Sequence, residues 1–351
     1  MRLIKKIVRW ALSLIGAAIG ALVIWCLIPI KPTIETLPER PGTKYWQMDK
    51  GYRIAYMQIR AEPPASRPPI IYVHGGPGGY VDSTEINTFG ALARFGHDVY
   101  LYDQVGSGLS DRLPRPKDYT FDGHLADLDE IVTRRIGAAR VILIGQSYGG
   151  ILAANYVTRH PERVERVVLS SPGELAPTRF TAAGRWVNDS LYPTPDSLHF
   201  ITVRSTGGDV AMRMPLRGLL AMAAATILNI KVVPDAEADG ILNTLIAGFS
   251  WEMVCDSTNV RPEEGGAGFY SHGWSNWFGD LEDPRAAMRL IEVPVLVIQG
   301  QCDHIPYAAV YEYVDLFPNS RYVLIEGAGH VIWWEKREEY LRLIGEFLTG
   351  R

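Results

Sequence analysis

Ser147, Asp303 and His330 are side chains of the three types that together open an ester or an amide. The serine stands in Gly145-Gln146-Ser147-Tyr148-Gly149, a G-x-S-x-G pattern. An apolar run, RVILIG (140–145), precedes it and a helical pattern, GGILAANYVTRH, follows. Glycines at such a strand-to-helix junction permit a turn tight enough to push the serine Oγ out at the end of a sheet. The following helix N-terminus brings partial positive charge to a developing oxyanion. A serine hydroxyl is a weak nucleophile at neutral pH; it needs a base, and the base needs an acid to orient it. Asp303 comes just after the apolar run VPVLVIQG (293–300), and His330 lies in a glycine-rich turn after SRYVLIEG (320–327). Loops at the carboxyl edge of neighbouring strands bring such residues onto one serine, and the chain order Ser, Asp, His suits the strand–elbow–helix arrangement. Glu174, after VVLSSPG, is the alternative acid. His304 adjoins Asp303 and is expected to point away from it, as loop neighbours do. His74 is expected to brace a turn, and His97, His124, His160, His199 and His272 fit loop, helix or lid positions. No C-x-x-C pattern occurs, so neither a metal nor a cofactor is expected.

The stretch PIIYVHGGPGGYVD (69–82) ends an apolar run in a turn where four of six residues are glycine. Bare backbone of this kind lets N–H groups approach an anion. A nucleotide phosphate is a poor candidate, because neither G-x-x-x-x-G-K-[ST] nor G-x-G-x-x-G is present. Pro77 also has no N–H to give.

Several elements must hold these residues. YRIAYMQIR (52–60) alternates like a half-buried strand, whereas PIIYVHG and DVYLYDQ (98–104) read as buried parallel strands. DGHLADLDEIVTRRIG is an amphipathic helix with Leu125, Leu128, Ile131 and Val132 on one face, Asp122 as cap and Gly137 at its tail. Strand and helix patterns alternate on both sides of 176–288, which predicts a mostly parallel sheet with helices on both faces. Within 176–288 the alternation gives way to Ala-, Met- and Leu-rich helical patches, read as a lid. The apolar run from Leu219 to Ile230 is too short to span a bilayer and is expected to pack within that lid.

The N-terminus carries Arg2, Lys5, Lys6 and Arg9, and then Trp10 to Ile30 contains no charge. Roughly 20 apolar residues are enough to cross a hydrocarbon core. A cleaved signal peptide competes with a retained anchor, but its apolar core is normally only about 7–15 residues. A cut near Gly16–Ala21 would also leave an apolar stub. The expected plan is therefore a basic flank (1–9), a transmembrane anchor (10–30), a linker (31–44), a core (45–175 and 289–351) and a helical cap (176–288). Positive-inside reasoning puts the N-terminus in the cytoplasm and the bulk of the chain outside. In that compartment Cys255 and Cys302 can pair. The formal net charge of −4 argues against a nucleic-acid partner.

Together, HGGPGG (74–79), DQVGSGLSD (103–111), GQSYGG (145–150), GQCD (300–303) and GAGH (327–330) resemble the α/β-hydrolase superfamily. Within it, HGGPG joined to DQ-x-G-x-G-x-S is similar to the proline iminopeptidase family of serine peptidases. The resemblance spans roughly 45–175 and 288–350 and leaves the lid uncovered. It implies an α/β-hydrolase fold with a helical cap and release of N-terminal residues, typically proline, from short peptides. It further implies an oxyanion hole from the amides of Gly76 and Tyr148, and cap acids that bind the substrate's free amine. Tyr148 departs from the tryptophan common at that position. The cap acids cannot be placed by motif; among Asp235, Glu237, Asp239, Glu252, Asp256, Glu263 and Glu264, Glu252 is singled out because it sits beside Trp251 and Met253. A carboxylesterase on small or apolar esters is the alternative function. A non-catalytic binding protein on the same fold is the remote one. An aspartate at the elbow would have indicated epoxide hydrolase or dehalogenase chemistry; Ser147 argues against both.

Overall fold

β-branched and aromatic runs build one eight-stranded sheet in the order β1-β2-β4-β3-β5-β6-β7-β8. The strands are β1 (Lys44–Gln47), β2 (Arg53–Ile59), β3 (Ile70–Val73), β4 (Val99–Tyr102), β5 (Val141–Gln146), β6 (Val164–Ser170), β7 (Val295–Gly300) and β8 (Ser320–Ile325). β2 runs antiparallel to β1 and β4, and all other pairs are parallel. The computed structural model describes residues 2–179, 186–201, 213–272 and 281–350; the cap segments 180–185, 202–212 and 273–280 lie outside the described residues.

Every residue of β3, β5 and β7 is buried, as expected of parallel strands covered on both faces. On one face Leu125, Leu128, Leu152, Val157, Val310 and Tyr313 pack against the sheet, from helices Phe121–Glu130, Tyr148–Arg159 and Tyr307–Leu316. On the other, Phe89, Trp333, Tyr340, Leu341 and Ile344 do so from Ser83–Gly90 and Trp333–Thr349. The register matters for chemistry. Val73 pairs with Gly145 and Gly300 with Ile325, so the loops after these strands all open at the same carboxyl edge.

Local signals decide the ends of elements. Helix Phe121–Glu130 is capped by Thr120, whose Oγ accepts from Gly123 N at 3.0 Å; the expected cap, Asp122, instead pairs with Arg159 at 2.9 Å. Two residues earlier, Thr120 has the extended backbone that a cap needs. The helix then loosens into a π-type turn, Ile131–Ile136, closed by Gly137 in the left-handed region.

Between β6 and β7 the cap contributes helices Leu216–Leu228 and Asp235–Phe249 around a small core of its own. The N-terminal helix Arg2–Leu27 contains a stretch, Lys5–Ile24, long and apolar enough to cross a membrane by length and composition, and none of it is buried. After it the chain runs along the cap. Ile30 N donates to Glu237 Oε1 (2.8 Å), Leu37 N donates to Gly265 O (3.1 Å), and Arg40 pairs with Glu264 (2.5 Å).

Candidate active site

Ser147 occupies the turn between β5 and helix Tyr148–Arg159 with φ 53°, a left-handed conformation that a serine adopts only under constraint. The constraint is visible in the hydrogen bonds. Ser147 N donates to Ser170 O (3.0 Å), while Gly173 N and Gly150 N donate to Ser147 O (3.1 and 2.9 Å). The flanking glycines are required by contact. A Cβ on Gly145 would stand 2.2 Å from Gly149 O, and one on Gly149 would stand 2.0 Å from Val73 O.

His330 Nδ1 donates to Asp303 Oδ1 at 2.7 Å, and Ile305 N donates to the same oxygen at 3.0 Å. Burial by itself raises the Asp303 pKa, but His330 through charge and hydrogen bond, together with His304 and the Ile305 amide, outweighs it and holds the carboxyl below its usual range. Glu174 is not the acid partner; it engages Thr178 and Trp186. A Cβ on Gly300 would lie 2.2 Å from Gly329 O, so the Asp303 and His330 loops can close together only over a bare backbone. His330 and Ser147 line one cavity of about 320 Å³ at the carboxyl edge of the sheet. His304 departs from the expectation for a loop neighbour. Its ring turns back to lie 4.2 Å from that of His330, and it also lines the cavity. Burial, then the neighbouring His330, lowers its pKa to about 4.

The glycine turn after β3 forms the facing wall. A Cβ on Gly75 would come within 3.0 Å of Ser147 Cβ, and Gly76, which also lines the cavity, has φ 124°. His74 lies behind this turn: its Nδ1 donates to Gly75 O (2.7 Å) and its Nε2 accepts from Gln104 N (2.9 Å). These roles require a neutral ring, in keeping with a pKa lowered to about 4 by burial. From the cap, His272 Nδ1 donates to Pro77 O (2.7 Å) and Gly268 N to Gly78 O (2.8 Å). The Tyr148 side chain does not line the cavity; its hydroxyl lies 3.0 Å from His124 Nδ1.

The cavity wall from the cap is mixed: Ile246, Phe249, Met253 and Ala267 are apolar, and Glu263 is acidic. Glu252 is buried next to Met253 but does not line this cavity. Glu263 Oε1 accepts from Tyr80 Oη (2.5 Å) and Gly265 N (3.1 Å), and burial raises its pKa above the usual glutamate value. No motif distinguished Glu263 from the other cap acids; its signal is the pairing with Tyr80, six residues beyond His74, which only the fold brings together.

A second residue escaped the sequence reading. Glu335 accepts from Cys255 N (2.9 Å), Gly329 N (2.8 Å), Asp256 N (2.8 Å) and Asn259 Nδ2 (3.3 Å). One carboxylate thus joins the cap strap at 255–259 to the turn that carries His330. Val331 N donates to Met253 O (3.0 Å) across the same junction, and a Cys255–Cys302 disulfide (Cα–Cα 5.2 Å) fastens the strap to the residue before Asp303. Asp303, His304 and His330 form the one cluster among the described residues with metal-ligand proximity. Asp303 and His330 are already engaged with each other there.

Comparison with known proteins agrees with this fold. A proline iminopeptidase of Saccharolobus solfataricus is 26% identical over 300 residues, covering 85% of this chain and 89% of its own. One from Clostridioides difficile is 28% identical over 311 residues, covering 86% and 96%. Among solved structures, an esterase from Exiguobacterium antarcticum superposes with a TM-score of 0.61 at 18% identity, covering 87% of this chain and 99% of its own. A proline iminopeptidase from Mycobacterium smegmatis gives 0.53 at 20%, covering 88% and 98%. At such identities these two structures speak to the fold alone. The model of the alpha/beta hydrolase fold matches residues 68–337, well over half of the sequence, and the chain belongs to that family.

Proposed function

We propose that this hydrolase is a membrane-anchored serine aminopeptidase of proline-iminopeptidase type that removes N-terminal residues from short peptides. Ser147 Oγ attacks the scissile carbonyl carbon while His330 Nε2 takes its proton. The oxyanion is received by the amides of Gly76 and Tyr148. The C–N bond then breaks, His330 returns the proton to the leaving amine, and water resolves the acyl-enzyme by the same route. Asp303 fixes the imidazole tautomer through the Nδ1 hydrogen bond. An oxyanion donor of this kind is worth about 2.7–4 kcal/mol of barrier.

The observation that carries the peptidase reading is Glu263 in the wall of the Ser147 cavity. A buried carboxylate with a raised pKa gains a counter-charge when a substrate ammonium arrives. The names of the curated relatives support the same choice. Turnover of proline naphthylamide against p-nitrophenyl butyrate tests it. The amide is expected to be cleaved, and Glu263→Gln is expected to lower its kcat/KM by about 10²–10³ through loss of a buried charge pair. The same change should leave the ester, which has no amine, nearly unaffected. Ester turnover with no amide cleavage overturns the peptidase reading in favour of a carboxylesterase, for which the apolar wall at Ile246, Phe249 and Met253 is suited.

The anchor reading rests on Arg2–Leu27 and its flanking basic residues, with the catalytic part outside the cytoplasm. The Cys255–Cys302 bond supports that side, because disulfides persist in oxidising compartments.

A further inference from the structure

The cap helix Leu216–Leu228 has two apolar faces. Gly218, Ala221 and Ala225 point inward and are buried, so the helix sits close on the cap core. Leu220, Ala223 and Ile227, at i, i+3 and i+7, lie on the opposite side in solvent, followed by exposed Leu228, Ile230 and Val232. Ile227 and Leu228 are 75% and 62% exposed. The expected packing within the lid therefore accounts for only half of this run. From Gly218 to Ile230 there is no charged side chain. The two flanking cations are both engaged: Arg217 Nη2 bonds Glu237 Oε2 (2.9 Å), and Lys231 Nζ bonds Asp235 (2.7 Å) beneath the ring of Tyr270. A helix that is apolar all round and lacks a protein partner on one side belongs against another apolar phase.

The place of this face identifies the phase. The N-terminal helix lies against Leu216–Leu228. Its continuation is bonded to the next cap helix, Ile30 N to Glu237 Oε1 at 2.8 Å, and Pro32 lies directly over Gly240, where a Cβ would meet it at 2.2 Å. Ile28 and Ile30, also exposed, continue the apolar surface from the end of the anchor towards the cap.

We infer that the outer face of Leu216–Leu228, with Ile230 and Val232, rests in the membrane interface beside the anchor, so that the cap is a second membrane contact of this enzyme. The inference rests on reading Arg2–Leu27 as a membrane span. The short linker and its bonds hold the patch at the level where the span leaves the bilayer, and an amphipathic surface of this kind seats its apolar side at the headgroup–acyl boundary.

The test uses the full chain in phospholipid nanodiscs, with a Cys26→Ser background and single nitroxide labels at Ile227→Cys, Leu14→Cys in the anchor and Glu162→Cys as a solvent reference. Fluorophosphonate labelling of Ser147 reports that each variant is folded. Collision with oxygen, which concentrates in lipid, is compared with collision with a water-soluble nickel chelate. The inference expects labels 227 and 14 to be broadened by oxygen and protected from nickel, and label 162 to show the reverse. Label 227 behaving like 162 while label 14 stays lipid-like overturns cap docking and leaves the anchor intact. Water-like behaviour at label 14 overturns the anchor reading and this inference with it. Protection of label 227 from both reagents, with spin–spin broadening, assigns the face to a second copy of the chain and also overturns the membrane contact.

Discussion

Replacing Glu335 with glutamine asks how firmly the turn carrying His330 is held. Its two carboxylate oxygens divide four donors: Oε2 receives Cys255 N and Gly329 N, and Oε1 receives Asp256 N and Asn259 Nδ2. Glutamine offers one oxygen and one NH₂ group, so in either orientation two of these donors meet another donor. Hydrogen bonds to a charged acceptor contribute about 1.5–3 kcal/mol each. The clamp is partly open to solvent, so the lower end applies and Glu335→Gln is expected to cost about 3 kcal/mol. Within a total stability of about 5–15 kcal/mol, that is a readily measured shift in the urea midpoint. Because Gly329 adjoins His330, kcat should fall for the amide and the ester by the same factor, as expected of a positioning residue that touches neither substrate. Urea unfolding followed by tryptophan fluorescence, with initial rates on both substrates, supplies the measurements. A variant within about 0.5 kcal/mol of the parent, the level of an ordinary surface change, would refute the clamp.

Three further changes probe other parts of the structure. Gly149→Ala forces a Cβ to 2.0 Å from the Val73 carbonyl oxygen, which main chain cannot vacate. It should cost about 3 kcal/mol and abolish probe labelling of Ser147. Gly248→Ala, where nothing lies within 4 Å in a helix of ordinary φ, should instead stabilise by about 0.5–1 kcal/mol in thermal unfolding. The buried ring of His124 has its pKa lowered to about 3, chiefly by desolvation, so between pH 6.5 and that value the unfolded chain binds a proton that the folded chain refuses. Its contribution to stability is therefore intact above pH 6.5 and shrinks as the pH falls, by about 2 kcal/mol at pH 5. The stability gap between the parent and His124→Asn should narrow by that amount from pH 7.5 to pH 5; a gap independent of pH would show that His124 titrates freely.

The parts of the site that follow from local chain chemistry were legible in the sequence. Ser147 announces itself because a strained elbow needs glycines at both flanks. Asp303 follows because it sits one loop beyond the fully buried strand β7, and His330 because it sits in a glycine turn one loop beyond β8, a half-exposed edge strand. Glu263, Glu335 and His304 were not legible in this way. Each acts through a partner distant in sequence (Tyr80, Cys255) or through a loop conformation that no side-chain pattern encodes. The helix cap shows the same limit at short range: Asp122 and Thr120 are both good capping residues, and backbone geometry selects the threonine. Strand positions were legible because β3 and β5, buried on both faces, are near-continuous apolar runs.

The disulfide gives the chain a property of a different kind. Cys255 and Cys302 close a covalent loop across 47 positions of sequence, and the strap just inside it, Asp256 to Thr258, is exposed. A protease that nicks this strap leaves two fragments that stay one molecule: one bears the serine, and the other bears the histidine and aspartate. Such a nicked enzyme would migrate as a single band without reductant and as two with it. A hydrolase exposed to proteases would thereby remain whole after its backbone had been cut.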